Sequence, residues 1–209
     1  MSATRPGNTY HHGDLRRALV DAAMLEVERG GIEALSLSAI AKALGVSQPA
    51  PYRHFADRDA LLTEVVTEGF TMFAAALKAA PRRAKGREAL SRMAQAYLRF
   101  GLDHPGLYKA MFASHLLPQA RDGVALQATA SASFGLLVAA IEARDTESAQ
   151  RMALGVWASL HGIVMLANQG MLQDRLVPIK LEQLVEDALP PGEPTLRHFW
   201  PKPKPKSRN

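Results

Sequence analysis

Residues Leu35–Phe55 have the sequence LSLSAIAKALGVSQPAPYRHF, in which two short segments are separated by a glycine. Ser36 is a favourable N-cap for a first helix that extends to Leu44, and Gly45 ends it. A second short helix is expected over Gln48–His54, directly after a tight turn. Two short helices in this arrangement form a helix-turn-helix, a geometry that can present one helix to the major groove of DNA.

The second short helix contains two prolines. Ser47 is the expected N-cap, which places Pro49 and Pro51 in the first turn. Pro49 loses no hydrogen bond because its amide would be unpaired there, whereas Pro51 removes the first intrahelical bond. We therefore expect an irregular first turn, in which side chains rather than backbone amides meet DNA.

The formal net charge of +5 does not by itself indicate nucleic-acid binding. Residues 1–60 contain seven Lys or Arg and seven Asp or Glu, and residues 61–196 contain thirteen of each. The excess of positive charge therefore lies entirely after residue 196. The local sequence indicates nucleic-acid binding more strongly than the net charge does, because no acidic residue occurs between Glu33 and Asp57. Carboxylates would repel a phosphate backbone, so this acid-free window favours DNA binding.

The pattern alone also fits a helical hairpin that packs an aromatic side chain and binds no DNA. Five short runs carry a more specific signal: Leu35-Ser36, Ile40-Ala41, Gly45-Val46-Ser47, Tyr52-Arg53-His54-Phe55 and Arg58-Asp59-Ala60-Leu61-Leu62. Together they resemble the tetracycline-repressor (TetR) family of bacterial regulators. The resemblance favours DNA binding over the plain hairpin.

The resemblance also implies which residues meet DNA. Gln48 and Pro49 would approach base edges, and Ala50 could pack on a thymine methyl group. Tyr52 and His54 would touch phosphates. The full expected set is Ser36, Lys42, Ser47, Gln48, Pro49, Ala50, Tyr52, Arg53, His54 and Arg58.

Three members of this set need separate comment. Arg58 stands where the family usually has Lys, and it would meet a phosphate with the same charge but a different geometry. Ser36 would offer its hydroxyl, or the helix N-terminus behind it, to another phosphate. Arg53 could contact a base or a phosphate, or could be a solvated cation.

The rest of the chain also has helical periodicity, without a convincing strand or hairpin pattern. We predict an all-α fold of about nine helices, most of them separated by Pro- or Gly-containing breakers. Besides the two short helices, they span roughly His12–Arg29, Asp57–Ala79, Arg87–Asp103, Pro105–Ala113, Asp122–Arg144, Glu147–Gln169 and Ile179–Leu189.

These helices suggest four segments. Residues 1–13 are an N-terminal arm, and residues 14–60 are a helix-turn-helix DNA-binding domain whose connecting helix reaches about residue 80. Residues 81–189 are a helical-bundle domain for ligand binding and dimerisation. Residues 190–209 form a Pro- and Lys-rich flexible tail, which either only solvates the chain or adds non-specific DNA affinity.

The predicted helix Glu147–Gln169 has a stripe of small and apolar residues at helical spacing. They are Gly155, Ser159, Gly162 and Leu166. Small residues let two helices approach closely, and the resemblance implies that this helix and Ile179–Leu189 form a four-helix dimer interface with a second copy. The alternative is that Gly155 and Gly162 pack within the subunit.

Aromatic and Met residues could line a pocket for a small apolar ligand. The candidates are Tyr97, Phe100, Tyr108, Met111, Phe112, Phe134, Trp157, His161 and Met165. At helical spacing such residues also form ordinary cores, and a lone His on an apolar face is often a core residue. The runs 105–112 and 157–162 resemble a C-terminal subgroup of the family named for its Trp, His and Gly.

Several classes of function lack their sequence signatures. There is no Cys, HExxH motif, Gly-rich phosphate loop or nucleophile elbow, so we expect no catalytic residues, metal or cofactor, and no enzyme. The start of the chain lacks an apolar signal region. The longest apolar run, Ala153–Ala167, is shorter than the roughly 20 residues that span a bilayer. We therefore expect a cytoplasmic protein that does not insert into a membrane.

The expected function is that of a ligand-relieved repressor, in which a homodimer binds a palindromic, double-stranded DNA operator. A small apolar ligand would favour a conformer with the wrong spacing of the two recognition helices, transmitted through the helix Asp57–Ala79. Activation or corepression is also compatible with the sequence. The alternatives are a helical enzyme that modifies small molecules, and a small-molecule-binding or interaction protein without DNA binding.

Overall fold

The computed structural model describes residues 12–79, 86–114, 116, 125–141, 145–172 and 181–190. Within these ranges the chain is helical and has no strand, which confirms the predicted all-α fold class. The α-helices of the described part are α1 (His12–Gly30), α2 (Leu37–Ala43), α3 (Arg58–Lys78), α4 (Gly86–Asp103), α5 (Pro105–Ala113), α6 (Ala125–Ala140), α7 (Thr146–Asn168) and α8 (Leu181–Ala188). Two 3-10 helices span Ile32–Ala34 and Pro51–Arg53.

The helices near the N-terminus begin and end at the expected signals. The Ser36 hydroxyl accepts a hydrogen bond from the Ala39 amide at 3.4 Å, and the Asp57 carboxylate accepts one from the Ala60 amide at 2.7 Å. Each cap satisfies an amide that has no partner within its own helix. Gly45, with φ of 68°, adopts the left-handed conformation that follows the end of α2.

In the C-terminal half, α6 and α8 lie within the predicted helices Asp122–Arg144 and Ile179–Leu189. Helix α7 begins and ends one residue before the prediction. Residues 122–124, 142–144 and 173–180 lie outside the described residues, as do residues 1–11 of the predicted arm and 191–209 of the predicted tail.

The chain divides into two compact units. Residues 1–80 and 96–136 form the first unit, and residues 81–95 and 137–209 form the second. This division differs from the predicted boundaries because α5, which was expected in the second domain, packs against α1 and α3. Packing does not test which segment binds DNA or ligand, so the functional boundaries stay a prediction.

Helix α3 is the centre of the first unit. Its large buried side chains are Leu61, Leu62, Val65, Val66, Phe70, Phe73 and Leu77. Helix α1 contributes Leu19, Ala23 and Val27, which are fully buried as its apolar stripe predicts. By length and composition α3 is also apolar enough to cross a membrane. Because its Glu64 and Glu68 pair with arginines of α1, we interpret it as a core helix.

Helix α5 lies very close to the end of α1. A Cβ atom on Gly106 would lie 2.4 Å from the Val27 carbonyl oxygen and 2.6 Å from that of Glu28, so only glycine fits there. The Glu28 carboxylate accepts hydrogen bonds from the amides of Gly106 and Leu107, both at 3.1 Å. A side chain of α1 therefore caps the first turn of α5, where a negative charge also complements the helix dipole.

In the second unit, α7 packs against α8. The buried residues of α7 form one stripe: Ala149, Ala153, Val156, Leu160 and Val164. The Arg87 guanidinium donates to the carbonyls of Glu186 at 3.1 Å and Pro190 at 2.5 Å. The Ser91 hydroxyl donates to the Glu186 carboxylate. These bonds join the first turns of α4 to the last turn of α8.

Candidate nucleic-acid interface

Helix α2 has one buried and one exposed face. Leu37, Ile40 and Ala41 are buried, while Lys42 is exposed in the last turn. The Val46 amide donates to the Ala41 carbonyl at 3.0 Å, which holds the turn against the end of the helix. The predicted first helix of the motif is therefore present, with its only basic side chain in solvent.

The predicted second helix, Gln48–His54, is wrong as an α-helix. Residues 48 and 49 form a turn, and only Pro51–Arg53 is helical, as a 3-10 helix. The predicted N-cap role of Ser47 is also wrong, because Ala50 precedes this helix and no side chain caps it. The physical reason is the one expected for an irregular start: Pro51 has no amide to donate, so the i→i−4 bonding pattern cannot begin before it.

The short segment is held by buried residues and presents exposed ones. Ala50, Pro51 and Phe55 are buried, with Ala50 only 9% exposed. Tyr52 is 55% exposed, although most aromatic side chains of the described residues are buried. The other exposed members of the expected DNA-contacting set here are Ser47, Gln48, Pro49 and Arg53, and His54 is half-buried.

The burial of Ala50 disfavours its expected contact with a thymine methyl group. Its methyl group faces the protein, so little of it remains for a base. Gln48, two residues before Ala50, is exposed, and its Nε2 atom donates to the Ser38 carbonyl at 3.3 Å. That bond draws the Gln48 amide against α2.

Arg58, expected to meet a phosphate, has partners within the protein. Its Nε atom donates to the Leu35 carbonyl at 3.1 Å, and Nη2 donates to the Ile32 carbonyl. Its Nη1 atom lies 3.7 Å from the Asp59 carboxylate. A phosphate at this position would have to compete with these bonds.

One supporting contact was not predicted from the sequence. Phe55 is 3% exposed, and the Arg16 guanidinium lies 5.1 Å from the centre of its ring. Arg16 also pairs with Glu64 at 3.0 Å. Arg16 thus joins α1 and α3 at Phe55, the last residue of the segment 47–55, which we call the recognition segment. No local pattern signals it, because the three residues meet only in the folded unit.

Four predicted pocket residues of the first unit lie in one aromatic cluster: Tyr97, Phe100, Tyr108 and Phe112. Tyr97, Phe100, Tyr108 and Met111 are buried, while Phe112 and Phe134 are half-buried. Two α3 residues at its centre were not predicted: the Phe73 ring lies 4.9 Å from that of Tyr97, and Phe70 lies 5.4 Å from Phe112. Their i, i+3 spacing is visible in the sequence, but the expected role of α3 was that of a connector alone.

The cluster contains one buried polar pair. The hydroxyls of Tyr97 and Tyr108 lie 2.8 Å apart. Burial raises the pKa of Tyr108 far above its ordinary value, and the neighbouring Tyr97 raises it further. Tyr108 is thus neutral, and either hydroxyl can donate the hydrogen bond to the other.

The remaining predicted pocket residues, Trp157, His161 and Met165, lie in the second unit and are half-buried. Burial lowers the pKa of His161, which favours the neutral imidazole. The pocket role of all nine candidates stays a prediction.

The predicted stripe of α7 lies outside its buried face. Leu166 is 41% exposed, and Gly155 and Ser159 are also exposed. A Cβ atom on Gly155 or Gly162 would meet nothing within 4 Å. The alternative that these glycines pack within the subunit therefore has no support in the described residues.

Two family models match this chain. Residues 19–65 match the model described as bacterial regulatory proteins, tetR family. Residues 90–190 match the model described as tetracyclin repressor-like, C-terminal domain. The first match contains the helix-turn-helix, and the second contains α5, α6, α7 and α8.

Individual proteins are also similar. An uncharacterised HTH-type transcriptional regulator of Mycobacterium tuberculosis is 28% identical over 165 residues, which are 76% of this chain and 72% of that protein. One of Bacillus subtilis is 30% identical over 98 residues, 47% of this chain and only about half of that relative's length, 51%. The solved structure of a protein of unknown function from Rhodococcus sp. RHA1 has a TM-score of 0.72 and 33% identity, covering 87% of this chain and 94% of that one.

Proposed function

Because this chain belongs to the TetR family of bacterial regulatory proteins, we propose that it is a homodimeric repressor of a palindromic operator, relieved by a small, largely apolar molecule. Members of the family are DNA-binding transcriptional regulators that act as dimers, and they are not enzymes. The proposal includes four further points: repression rather than activation, a palindromic operator, an apolar ligand and a cytoplasmic location.

The recognition segment carries the proposal. Its exposed side chains would face DNA: Ser47, Gln48, Pro49, Tyr52 and Arg53, with half-buried His54 beside them. Lys42 and the Ser36 hydroxyl would add phosphate contacts from α2. The supporting observation is that Tyr52 is more than half exposed on a segment whose neighbours Ala50, Pro51 and Phe55 are buried. An exposed aromatic hydroxyl on a rigid, acid-free surface is suited to a phosphate.

Dimerisation would occur through the exposed stripe of α7. Two subunits must place their recognition segments about 34–36 Å apart to occupy successive major grooves. The open surface at Gly155 and Gly162 supports close packing of α7 against a second copy.

The ligand would act through the aromatic cluster. Helix α3 contributes Phe70 and Phe73 to that cluster, and its first residue, Arg58, contacts the segment before α2. A ligand bound among these rings would therefore contact α3, the helix that supports the helix-turn-helix. It can change operator affinity only through its different affinities for the DNA-competent and DNA-incompetent conformers.

The test is selection of duplexes by the purified full chain from a random DNA library, followed by binding measurements at about 50 and about 200 mM salt. We expect a palindromic consensus, two subunits per duplex and a steep loss of affinity with salt. A chain that enriches no duplex at low salt, yet binds apolar dyes or fatty acids, would instead be a small-molecule-binding protein without DNA binding.

A further inference from the structure

We propose that Arg58 is a positioning residue for DNA binding: it fixes α2 and the recognition segment relative to α3 by binding backbone carbonyls, and it does not contact a phosphate. The inference rests on the proposed function and concerns how that site is held. It differs from the role that the family resemblance implies for this position.

The contacts of the guanidinium are the first argument. Nε donates to the Leu35 carbonyl at 3.1 Å, Nη2 donates to the Ile32 carbonyl, and Nη1 faces the Asp59 carboxylate at 3.7 Å. All three nitrogens thus have acceptors within the chain, and 39% of the side chain is exposed. A phosphate would have to replace bonds that are already made.

The position of the two acceptors is the second argument. Ile32 begins the 3-10 helix before α2, and Leu35 is its C-cap. Leu35 is followed by Ser36, the N-cap of α2, and its own side chain is 3% exposed. The guanidinium therefore ties the first turn of α3 to the residues that determine where α2 begins.

The chemistry of the side chain is the third argument. A cation in the first turn of a helix is unfavourable toward the helix dipole, so the benefit of Arg58 must come from what it binds. The Leu35 carbonyl follows the 3-10 helix, and the Ile32 carbonyl, which already accepts from the Leu35 amide at 3.1 Å, has a second lone pair for another donor. The planar guanidinium can serve both carbonyls at once from Nε and Nη2, which the single nitrogen of Lys cannot do with the same geometry.

The link continues from α2 to the recognition segment. The Gln48 side chain donates to the Ser38 carbonyl in the first turn of α2, and the Val46 amide donates to the Ala41 carbonyl. A shift of α2 would therefore move the residues that read base edges. Loss of Arg58 should affect recognition of a particular sequence more than attraction to DNA in general.

The experiment compares Arg58→Lys and Arg58→Gln with the wild-type protein. Arg17→Gln is the matched control, because Arg17 is an exposed arginine of the same unit that pairs with Asp21 and Glu68. The probes are the duplex that the wild-type protein enriches from a random library and a shuffled duplex of equal composition. Affinity for both is measured at several salt concentrations, and the melting temperature of each variant is recorded.

We expect both Arg58 variants to bind the enriched duplex roughly tenfold more weakly, the size expected for loss of a charge-assisted hydrogen bond. Affinity for the shuffled duplex and the slope of log K against log salt should stay at wild-type values. A smaller folded fraction would lower the apparent affinity for both duplexes by the same factor. The ratio of the two affinities therefore distinguishes a loss of positioning from a loss of stability. Arg58→Lys retains the charge and decides the question alone if Arg58→Gln does not fold.

Two outcomes would overturn the inference. The first is wild-type affinity of Arg58→Lys for both duplexes together with a flatter salt slope of Arg58→Gln, by about one unit for each phosphate that the variant no longer binds. The second is wild-type binding by both variants. If the wild-type protein and Arg17→Gln enrich no duplex, the proposed function itself fails, and this inference falls with it.

Discussion

The Oε1 atom of Glu28 accepts a hydrogen bond from the backbone amide of Gly106 at 3.1 Å, so that α1 caps the first turn of α5. The second carboxylate oxygen serves the Leu107 amide in the same way. Helix α1 leads to the helix-turn-helix, and α5 carries Tyr108 and Phe112 of the aromatic cluster. The carboxylate therefore joins the helix before the helix-turn-helix to a helix of the aromatic cluster.

We expect Glu28→Gln to lower the free energy of unfolding by about 1–3 kcal/mol, since one acceptor becomes a donor opposite an amide. Thermal unfolding followed by circular dichroism measures this change. Glu26→Gln is the matched control on the same helix and should unfold at the wild-type temperature. Equal melting temperatures for both variants would show that the cap contributes nothing.

Gly106→Ala should be strongly destabilising. Its Cβ atom would lie 2.4 Å from the Val27 carbonyl oxygen, which is backbone and cannot move aside without displacing α1. We expect a loss of at least about 2 kcal/mol, measured by urea denaturation. Gly135→Ala is the control, because nothing lies within 4 Å of its Cβ position. It should be neutral or stabilising, by up to about 1 kcal/mol, and a loss as large as that of Gly106→Ala would refute the clash.

Ser159→Arg should convert the homodimer to a monomer without lowering the stability of the subunit. Ser159 is exposed between Gly155 and Gly162. An arginine side chain at this position would therefore disrupt only the packing of another helix against this stripe. Light scattering after size exclusion gives the mass. Thr71→Arg, at an exposed position of α3, should leave the mass unchanged. A dimer that survives Ser159→Arg would place the interface elsewhere.

Tyr52→Phe and Gln48→Ala should have different effects on DNA binding. Loss of a phosphate hydrogen bond from Tyr52 should weaken binding by about 1 kcal/mol on all sequences alike. Loss of the Gln48 amide should relax the preference at one or two base pairs, each by about 1–3 kcal/mol. Selection from a random library with each variant reports the preference, and an unchanged consensus for Gln48→Ala would contradict base reading.

The stability of the first unit should fall as the pH rises above about 10, the ordinary pKa of a tyrosine. Burial raises the pKa of Tyr108 in the folded chain, so the unfolded chain loses that proton first. Stability from this group is therefore complete below pH 10 and is lost above it, at no more than about 1.4 kcal/mol per pH unit. Melting temperatures between pH 8 and pH 11 measure the slope. Tyr108→Phe should flatten it, and an unchanged slope in this variant would contradict the assignment to Tyr108.

Local sequence signals predicted the elements that depend on local chemistry. The Ser36 side chain caps α2 as expected, Asp57 caps α3 at the start of the predicted helix Asp57–Ala79, and Pro105 begins α5. The same reasoning predicted an irregular first turn at Pro51, but it did not predict that only Pro51–Arg53 is helical. Local signals also did not show that Ala50 is buried.

The partners of Arg58 and the central place of Phe73 depend on residues distant in sequence. Arg58 binds carbonyls 23 and 26 residues before it, and Phe73 meets Tyr97 across two helices. A resemblance assigns a role to a position, but it does not say which acceptors lie within reach of a particular side chain. The substitution of Arg for Lys was the only visible sign that this position differs.

The recognition segment also bears on how the regulator could acquire new targets. Its shape comes from Pro51, Ala50 and Phe55, while residues 47–49, 52 and 53 are exposed and contribute little to the core. Substitutions at exposed sites usually change stability by less than about 0.5 kcal/mol. Substitutions at these five positions can therefore change the operator sequence that is bound almost independently of folding. They are the positions at which a different operator specificity could evolve or be engineered.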